Sequence, residues 1–329
     1  MIFKVSRLVV LAASTVLAVS LAAPAHADPP SFAAGAKSAV TQTAPVLRPS
    51  ENFSRSAGSD IDPKQKIKID QAVFRGNQTV VSVLRGVGAL RPVTGTTVTG
   101  RVVSKSTVKR RKAGNRSVLV TDSSDQFGPG LLTATWTERN GVNYSVASRN
   151  ALDVRGLLRV VKSLPADKAK ASRTALRVIK KAKPFRALAE PAERSAASRF
   201  VDGAGVPTDD LNDEADLCNG CSYSSSNYVG LWQWILWADQ RLAASQIDCV
   251  FGSGTSSATA AWQTWAKVGS DGYVGYNTRS KAGSYNQGSG SWVTYLGIGR
   301  SLSIERNSSN HYKLFGAEVS YSYRSAAIC

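Results

Sequence analysis

The chain has 329 residues, with 41 Lys and Arg against 23 Asp and Glu, and a formal net charge of +18. Its 43 % hydrophobic content and mean hydropathy of −0.15 exclude a wholly disordered polyelectrolyte, and its length is enough for two modest cores. With two His in all, it lacks the ligands that a multi-histidine zinc hydrolase needs, and no phosphate-binding loop or dinucleotide fingerprint appears, so no cofactor is expected.

Lys4 and Arg7 precede an apolar run from Leu8 to Ala23, and Ala25-His26-Ala27 follows before Asp28. A basic start, an apolar stretch and an A-x-A site are the parts of a secretory signal, so residues 1–27 are expected to be removed and the protein exported. Losing Lys4 and Arg7 takes away two positive charges and no negative one, so the mature chain would carry +16. Such a charge attracts polyanions, of which wall polymers, anionic lipid and stray nucleic acid occur outside a cell, and it also serves solubility alone. No later segment approaches the roughly 20 apolar residues of a membrane span, so the protein is not expected to be an integral membrane protein.

Residues 28–60 are mainly Ala, Ser, Pro and small polar types without a sustained period, which predicts a disordered tail. Residues 61–164 read as a β-rich domain of unassigned role: Ile67–Phe74, Thr79–Leu84, Val98–Val103, Ser117–Val120, Leu131–Glu138 and Val142–Ala147 are rich in Val, Thr and aromatics. Asn140-Gly141 between the last two is a hairpin signal, and Lys109-Arg110-Arg111-Lys112 reads as a solvated hairpin loop or, alternatively, a contact for an anionic polymer. A helix over Leu152–Leu164, with Val154, Leu157, Leu158 and Val161 on one side, would cover one face of the sheet. Residues 165–216 read as a charged, partly helical linker, first basic and then acidic from Asp202 to Asp216, whose two halves could fold back on each other.

The four Cys, 218, 221, 249 and 329, form an even set, expected as two disulfides in an oxidising compartment. A redox Cys218–Cys221 pair and a four-Cys zinc site are the alternatives. Of three connectivities, the choice that ties the first helix's approach to the first turn and pins the C-terminus joins Cys221 to Cys249 and Cys218 to Cys329.

The most informative feature is a repeat. Asp248-Cys-Val-Phe251-Gly252-Ser-Gly-Thr255 returns twenty-three positions later as Asp271-Gly-Tyr-Val274-Gly275-Tyr-Asn-Thr278. In both copies Asp opens a turn, Gly permits a reversal and Thr stands where a helix would begin. Between them Ala258, Ala261, Trp262 and Trp265 follow helical spacing. A preceding helix over Tyr228–Leu242 puts Val229, Trp232, Leu236 and Ala243 on its core face and leaves Trp234 and Trp237 opposite, to pack on the chain's own tail or on a ligand. That tail, residues 284–329, reads as a β-hairpin extension with strands at Ser291–Leu296, Ser301–Arg306 and Tyr312–Phe315 and a turn at Asn307–Asn310.

The series Val229-x-x-Trp232-Gln233-x-x-Leu236, Asp248-x-x-Phe251-Gly252-x-x-Thr255, Ala258-x-x-Ala261-Trp262-Gln263 and Asp271-Gly272-x-Val274-Gly275-x-x-Thr278 resembles the bacterial peptidoglycan-binding domain found on cell-wall hydrolases. The resemblance covers Val229 to Lys281 and departs from the family at Cys249, where Gly is usual, and at Trp232, where Leu is common. It implies a three-helix bundle over residues 217–283 that holds peptidoglycan in a shallow groove beside the turns. Ligand contacts are implied near Asp248, Phe251, Gly252, Gln263, Asp271, Gly272 and Val274, with Trp234 as a stacking face. Each also has a structural reading: Asp and Gly make turns, Thr255 and Thr278 cap helices, and Phe251 fills a core.

The expected fold is therefore α+β and multidomain: an N-terminal β-rich domain with a C-terminal helix, a basic helical linker, and a three-helix bundle with a β-hairpin extension. The one mature His, His311, beside Tyr312, would have to serve any Cys or Ser nucleophile and reads as a surface residue, while Asp122, Asp125 and Glu138 form no recognised catalytic spacing. The leading expectation is a secreted, non-catalytic cell-wall binding protein whose partners are peptidoglycan and anionic wall polymers, with no specific nucleic acid. The alternatives are a peptidoglycan hydrolase with an unrecognised N-terminal catalytic domain, and a cationic binder of lipid or nucleic acid with strongly salt-dependent affinity.

Overall fold

The computed structural model describes residues 29–49, 54–58, 67–87, 107–124, 128–166, 199–203, 207–289 and 292–329. The signal sequence, the strand expected at Val98–Val103, Asp125 and most of the basic linker lie outside the described residues. The chain is a mixed α+β protein with a β-rich N-terminal region, and no helix among the described residues is long and apolar enough to cross a membrane.

Helix α1 (Pro29–Thr43) is followed by strands β1 (Arg48–Pro49), β2 (Ser54–Gly58), β3 (Ile67–Gly76), β4 (Thr79–Val87), β5 (Thr107–Ala113), β6 (Arg116–Asp122), β7 (Leu131–Thr137) and β8 (Val142–Arg149), then helix α2 (Val154–Ser163). The strands form one antiparallel sheet in the order β1-β3-β4-β8-β7-β6-β5, with β2 also paired to β3. Alternation builds it: on β8, Val142, Tyr144 and Val146 pack under α1 and α2, while Ser145, Ala147 and Arg149 turn to the opposite face. Every residue of β8 is buried, because the C-terminal half of the chain covers that second face. The tight turn between β7 and β8 holds Gly141 at φ 85°. Helix α2 starts at Asp153, whose side chain accepts from the Gly156 amide at 2.7 Å, a standard cap for the first turn.

Two expectations change here. The segment at 29–43 is not a tail but a helix. Phe32, Ala36, Ala39 and Val40 are buried against the sheet and α2, and the small Ala side chains let the helix approach closely. Beneath Phe32 the cross-strand neighbours Asp70 and Arg85 form a buried ion pair at 2.6 Å, with the guanidinium 4.6 Å from the Phe32 ring. Composition suggested disorder because its apolar residues are mostly Ala, whose contribution depends on a partner surface. The basic run Lys109–Lys112 is strand, not loop: it lies in β5, all four side chains exposed, on the sheet's outer edge. Charge on an open edge deters pairing with other chains.

The C-terminal half contains α3 (Asn227–Ala238), a short 3-10 turn at Ala244–Gln246, α4 (Ser253–Ala266) and α5 (Tyr276–Gly283). It ends in a five-stranded antiparallel sheet, β9 (Asn286–Ser289), β10 (Trp292–Leu296), β11 (Ser301–Arg306), β12 (Tyr312–Leu314) and β13 (Ala317–Glu318), larger than the hairpin expected. Helix α3 is shorter than predicted and stops at Asp239: Gln240 takes φ 61°, and the Arg241 and Gln240 amides donate to the Leu236 and Trp237 carbonyls, a left-handed C-terminal cap. Ala243 is accordingly exposed rather than core. On α4 the buried face is Thr255, Ala258, Thr259, Trp262 and Ala266, so Ala261 is exposed and Trp265 half-buried.

The described part of the expected linker belongs to this half. The Val201 amide donates to the Val319 carbonyl, and Phe200 and Asp202 bridge to Ser320 and His311. Asp210 is buried against Arg306 and Tyr312, and Asp216 pairs with Arg279. Asp210 and Asp216 thus neutralise arginines of the C-terminal half, where close guanidinium contacts offset the loss of water.

The disulfides also differ from the expected pairing. Cys218 joins Cys221, and Cys249 joins Cys329. The second bond brings the C-terminus onto α3 at Gly230, where an added Cβ would lie 2.5 Å from Cys249 Sγ and 2.6 Å from Ile328 Cγ2. Phe32→Ala in the mature chain should lower unfolding free energy by about 3 kcal/mol; urea denaturation checks this, and a loosely attached segment would give no change.

Candidate functional site

The repeated octapeptides fold identically, and each is closed by a glutamine from the helix before it. Helix α3 begins at Ser226, whose hydroxyl accepts from the Val229 amide at 3.3 Å, and carries Gln233 two turns on. Gln233 Nε2 donates to Asp248 Oδ1 (2.8 Å), the Val250 carbonyl (3.1 Å) and Thr255 Oγ1 (3.0 Å), and its Oε1 accepts from the Asp248 and Cys249 amides at 3.1 and 2.8 Å. In the second copy Gln263 Nε2 donates to Asp271 Oδ1 (2.8 Å), the Tyr273 carbonyl (2.8 Å) and Thr278 Oγ1 (2.9 Å), and its Oε1 accepts from the Asp271 and Gly272 amides at 3.1 and 2.8 Å. Both glutamines are buried. Asp248 and Asp271 also accept the amides of Val250 and Tyr273, each at 2.9 Å.

These networks account for most of the residues singled out in the sequence. Asp248 and Asp271 are largely exposed, but one carboxylate oxygen of each serves the turn. Phe251 and Val274 occupy the same position in the two copies and are both buried in the C-terminal core. Gly272 needs its φ of 70°, and a Cβ there would meet Ser256 Oγ at 2.5 Å; its counterpart Cys249 accepts φ 59° with a side chain that the disulfide to Cys329 holds. Gly252 and Gly275 are the N-caps of α4 and α5, and Gly252 has open space around it. Trp234 packs edge-on against Trp237 and Phe315, with ring centroids 4.9 Å apart in each case, and its Nε1 donates to the Ile328 carbonyl at 2.8 Å. The chain's own tail therefore takes its polar atom.

The turns leave two equivalent side chains outside, Val250 and Tyr273, each 36 % exposed. The Tyr273 hydroxyl donates to Asp216, which also pairs with Arg279. Burial would raise the Asp216 carboxyl, but these two partners outweigh it and hold it below the usual carboxylate value.

Sequence reasoning did not single out a second centre, Arg149 and Asp239. Arg149 ends β8 with no side-chain exposure and donates to Asp239 at 2.9 and 3.3 Å and to the Leu296 carbonyl at 2.6 Å. Its guanidinium lies 3.4 Å from the centroid of Tyr285 and 4.7 Å from that of Trp265. Asp239 further accepts from Trp262 Nε1 and the Ile298 amide, both at 2.8 Å, and from the Tyr295 hydroxyl. Burial alone would lower the Arg149 guanidinium; Asp239, with Tyr295 and Tyr285, holds it above its ordinary value. The clamping glutamines were visible in outline, because the Trp-Gln pair itself recurs as Trp232-Gln233 and Trp262-Gln263. Nothing local marks Arg149, since its partner lies 90 residues away.

In the β-rich region the described carboxylates have structural partners: Asp70 with Arg85, Asp122 with Ser124, Glu138 with Arg116 and Trp136, and Asp153 with its helix. His311 stacks on Phe200 at 4.7 Å and faces Glu318. No group of three or more His, Cys, Asp or Glu among the described residues could hold a metal ion. Compared with known protein families, with curated proteins and with solved structures, the chain has no match.

Gln263→Ala should cost about 3 kcal/mol of stability, because it strands a carboxylate and two turn amides, and Gln233→Ala should cost a similar amount. Equilibrium unfolding measures both. Arg149→Met should cost about 3–5 kcal/mol by leaving Asp239 charged and unpaired, whereas Arg149→Met with Asp239→Leu should recover part of the loss. A double-mutant cycle reads that coupling, and additivity of the two changes would refute it.

Proposed function

We propose that the chain is a secreted, non-catalytic cell-wall binding protein that holds peptidoglycan beside its two turns. In this reading the chain is multidomain, and α3, α4 and α5 form a three-helix bundle with the C-terminal sheet as its extension. The observation that carries the reading is the twin presentation of Val250 and Tyr273: two identical turns, each rigidified by a buried glutamine, offer one exposed apolar or aromatic side chain beside an exposed carboxylate. A rigid duplicated surface suits a polymer of repeating sugar and peptide, since preorganised contacts bind without an ordering cost. Export is supported by the leader-like start and by two disulfides, which persist in oxidising compartments. The exposed Lys109–Lys112 edge would add a salt-sensitive attraction to anionic wall polymers.

The mature chain should co-sediment with purified peptidoglycan at about 0.15 M salt, near physiological ionic strength. Val250→Ala with Tyr273→Ala should reduce the bound fraction at least tenfold while leaving the melting temperature within a few degrees. Retention equal to the parent chain would discard the turn face as the binding site, and clearing of the peptidoglycan suspension would move the protein to the hydrolases.

A further inference from the structure

A cleft of about 410 Å³ opens where the β3–β4 hairpin tip (Arg75, Gly76, Asn77, Gln78) meets the end of α3 (Asp239, Gln240, Arg241), Trp265 of α4 and the Ile298-Gly299 turn. None of its lining residues belongs to the twin turns, and it is built from both halves of the chain. Its one lining carboxylate, Asp239, is committed to Arg149, Trp262, Tyr295 and the Ile298 amide. The remaining charge in the lining is positive. Arg75 has a hydrogen bond to Ser301 Oγ at 2.7 Å, Arg241 lies 5.4 Å from the Trp265 ring centroid, and neither makes an ion pair among the described residues. The buried Nε of each guanidinium has no hydrogen-bond acceptor. Burial and the nearby positive charge of Arg300 push the Arg75 guanidinium down to about 10.

The walls are fixed in advance. Arg241 follows the left-handed cap of α3, its amide bonded to the Leu236 carbonyl at 2.7 Å. Gln78 takes φ 54°, and its Oε1 accepts from Trp265 Nε1 at 3.3 Å, which ties the hairpin tip to α4. Asn77, Gln78 and Gln240 supply amides suited to hydroxyl groups, and the Trp265 ring, 5.4 Å from the Arg241 guanidinium, helps to hold that cation at the cleft. Two guanidiniums without acid partners among the described residues and three amides around one cleft are a set that recognises an oxyanion carried on a polyol.

We infer that this cleft binds the phosphate or carboxylate group of an acidic, hydroxyl-rich ligand, with Arg75 and Arg241 on the oxyanion and the amides of Asn77, Gln78 and Gln240 on its hydroxyl groups. The site does not depend on the wall-binding reading, because none of its residues belongs to the exposed face of the turns.

Isothermal titration of the mature chain with glycerol phosphate and with glucuronate separates the two oxyanion sources, and glycerol and glucose serve as neutral controls. Binding of either anion, with none of the neutral compounds, is the expected result, and the tighter anion names the source. Arg241→Gln should weaken that binding at least tenfold. Gln78→Glu, which keeps the acceptor for Trp265 but places a negative charge at the rim, should weaken it to a similar extent. Val250→Ala with Tyr273→Ala should leave it unchanged, so loss of wall binding and loss of anion binding are read separately. No heat from either anion at 10 mM, equal binding of the neutral compounds, or unaltered affinity in a folded Gln78→Glu protein would overturn the assignment.

Discussion

The Arg149–Asp239 ion pair joins the parts of the chain that would otherwise have separate cores. Taking both charges out of water costs several kcal/mol per ion, and only close geometry with every remaining lone pair engaged offsets that cost. The offset is assembled from four places: the end of β8 brings the guanidinium, the end of α3 the carboxylate, α4 the Trp262 indole, and β10 with its following turn the Tyr295 hydroxyl and Ile298 amide. Because no element alone satisfies Asp239, all four must be in register before the charges are stable. Lesser contacts follow the same seam: Ser123 Oγ to the Ser284 carbonyl at 3.0 Å, Lys281 Nζ to the Pro129 carbonyl at 2.9 Å, and Gln287 Nε2 to Ser145 Oγ at 2.9 Å. The cleft at the rim of this seam inherits its rigidity.

The two turns solve a different problem, the satisfaction of backbone groups where the chain reverses between helices. A glutamine side chain offers the same carbonyl and N–H groups as a peptide unit, so one buried Gln can replace the hydrogen bonds that a neighbouring strand or helix would make. Using it twice leaves the turns stiff without filling their outer surface. The copies differ in what secures them from outside: the first is tied to the C-terminus by Cys249–Cys329, the second to the acidic stretch through Tyr273 and Asp216. The partners of Asp216 hold its carboxyl below the usual value, so the tie on the second turn is lost only as pH falls well into the acid range.

Part of the positive charge is matched inside the fold. Arg85, Arg116, Arg149, Arg279 and Arg306 are each matched to a carboxylate within the fold. They are structural cations, engaged by Asp70, Glu138, Asp239, Asp216 and Asp210. Among the described residues, Lys109 to Lys112 along β5 and Arg75 and Arg241 at the cleft have no ion-pair partner, so each of these places offers positive charge to a polyanion.

Elements governed by local pattern were legible from residues alone: the strands around Ile67–Phe74, Thr79–Leu84, Ser117–Val120, Leu131–Glu138 and Val142–Ala147, the Asp153-capped helix, the Asn-Gly turn and the duplicated Asp/Gly turns all follow from periods and turn chemistry a few residues long. The involvement of all four cysteines in two disulfides was readable as well, but their pairing was not, because it depends on how the C-terminus returns to α3 across Gly230. The docking of α1, the acidic stretch's choice of Arg279 and Arg306, and the burial of Phe251, Val274 and Gln263 were settled only by tertiary packing. Sequence by itself determined where the chain turns and which side chains could be buried. Which buried charges find each other, and hence where uncompensated charge remains to meet a ligand, was decided by contacts between residues up to 96 positions apart, which no local period encodes.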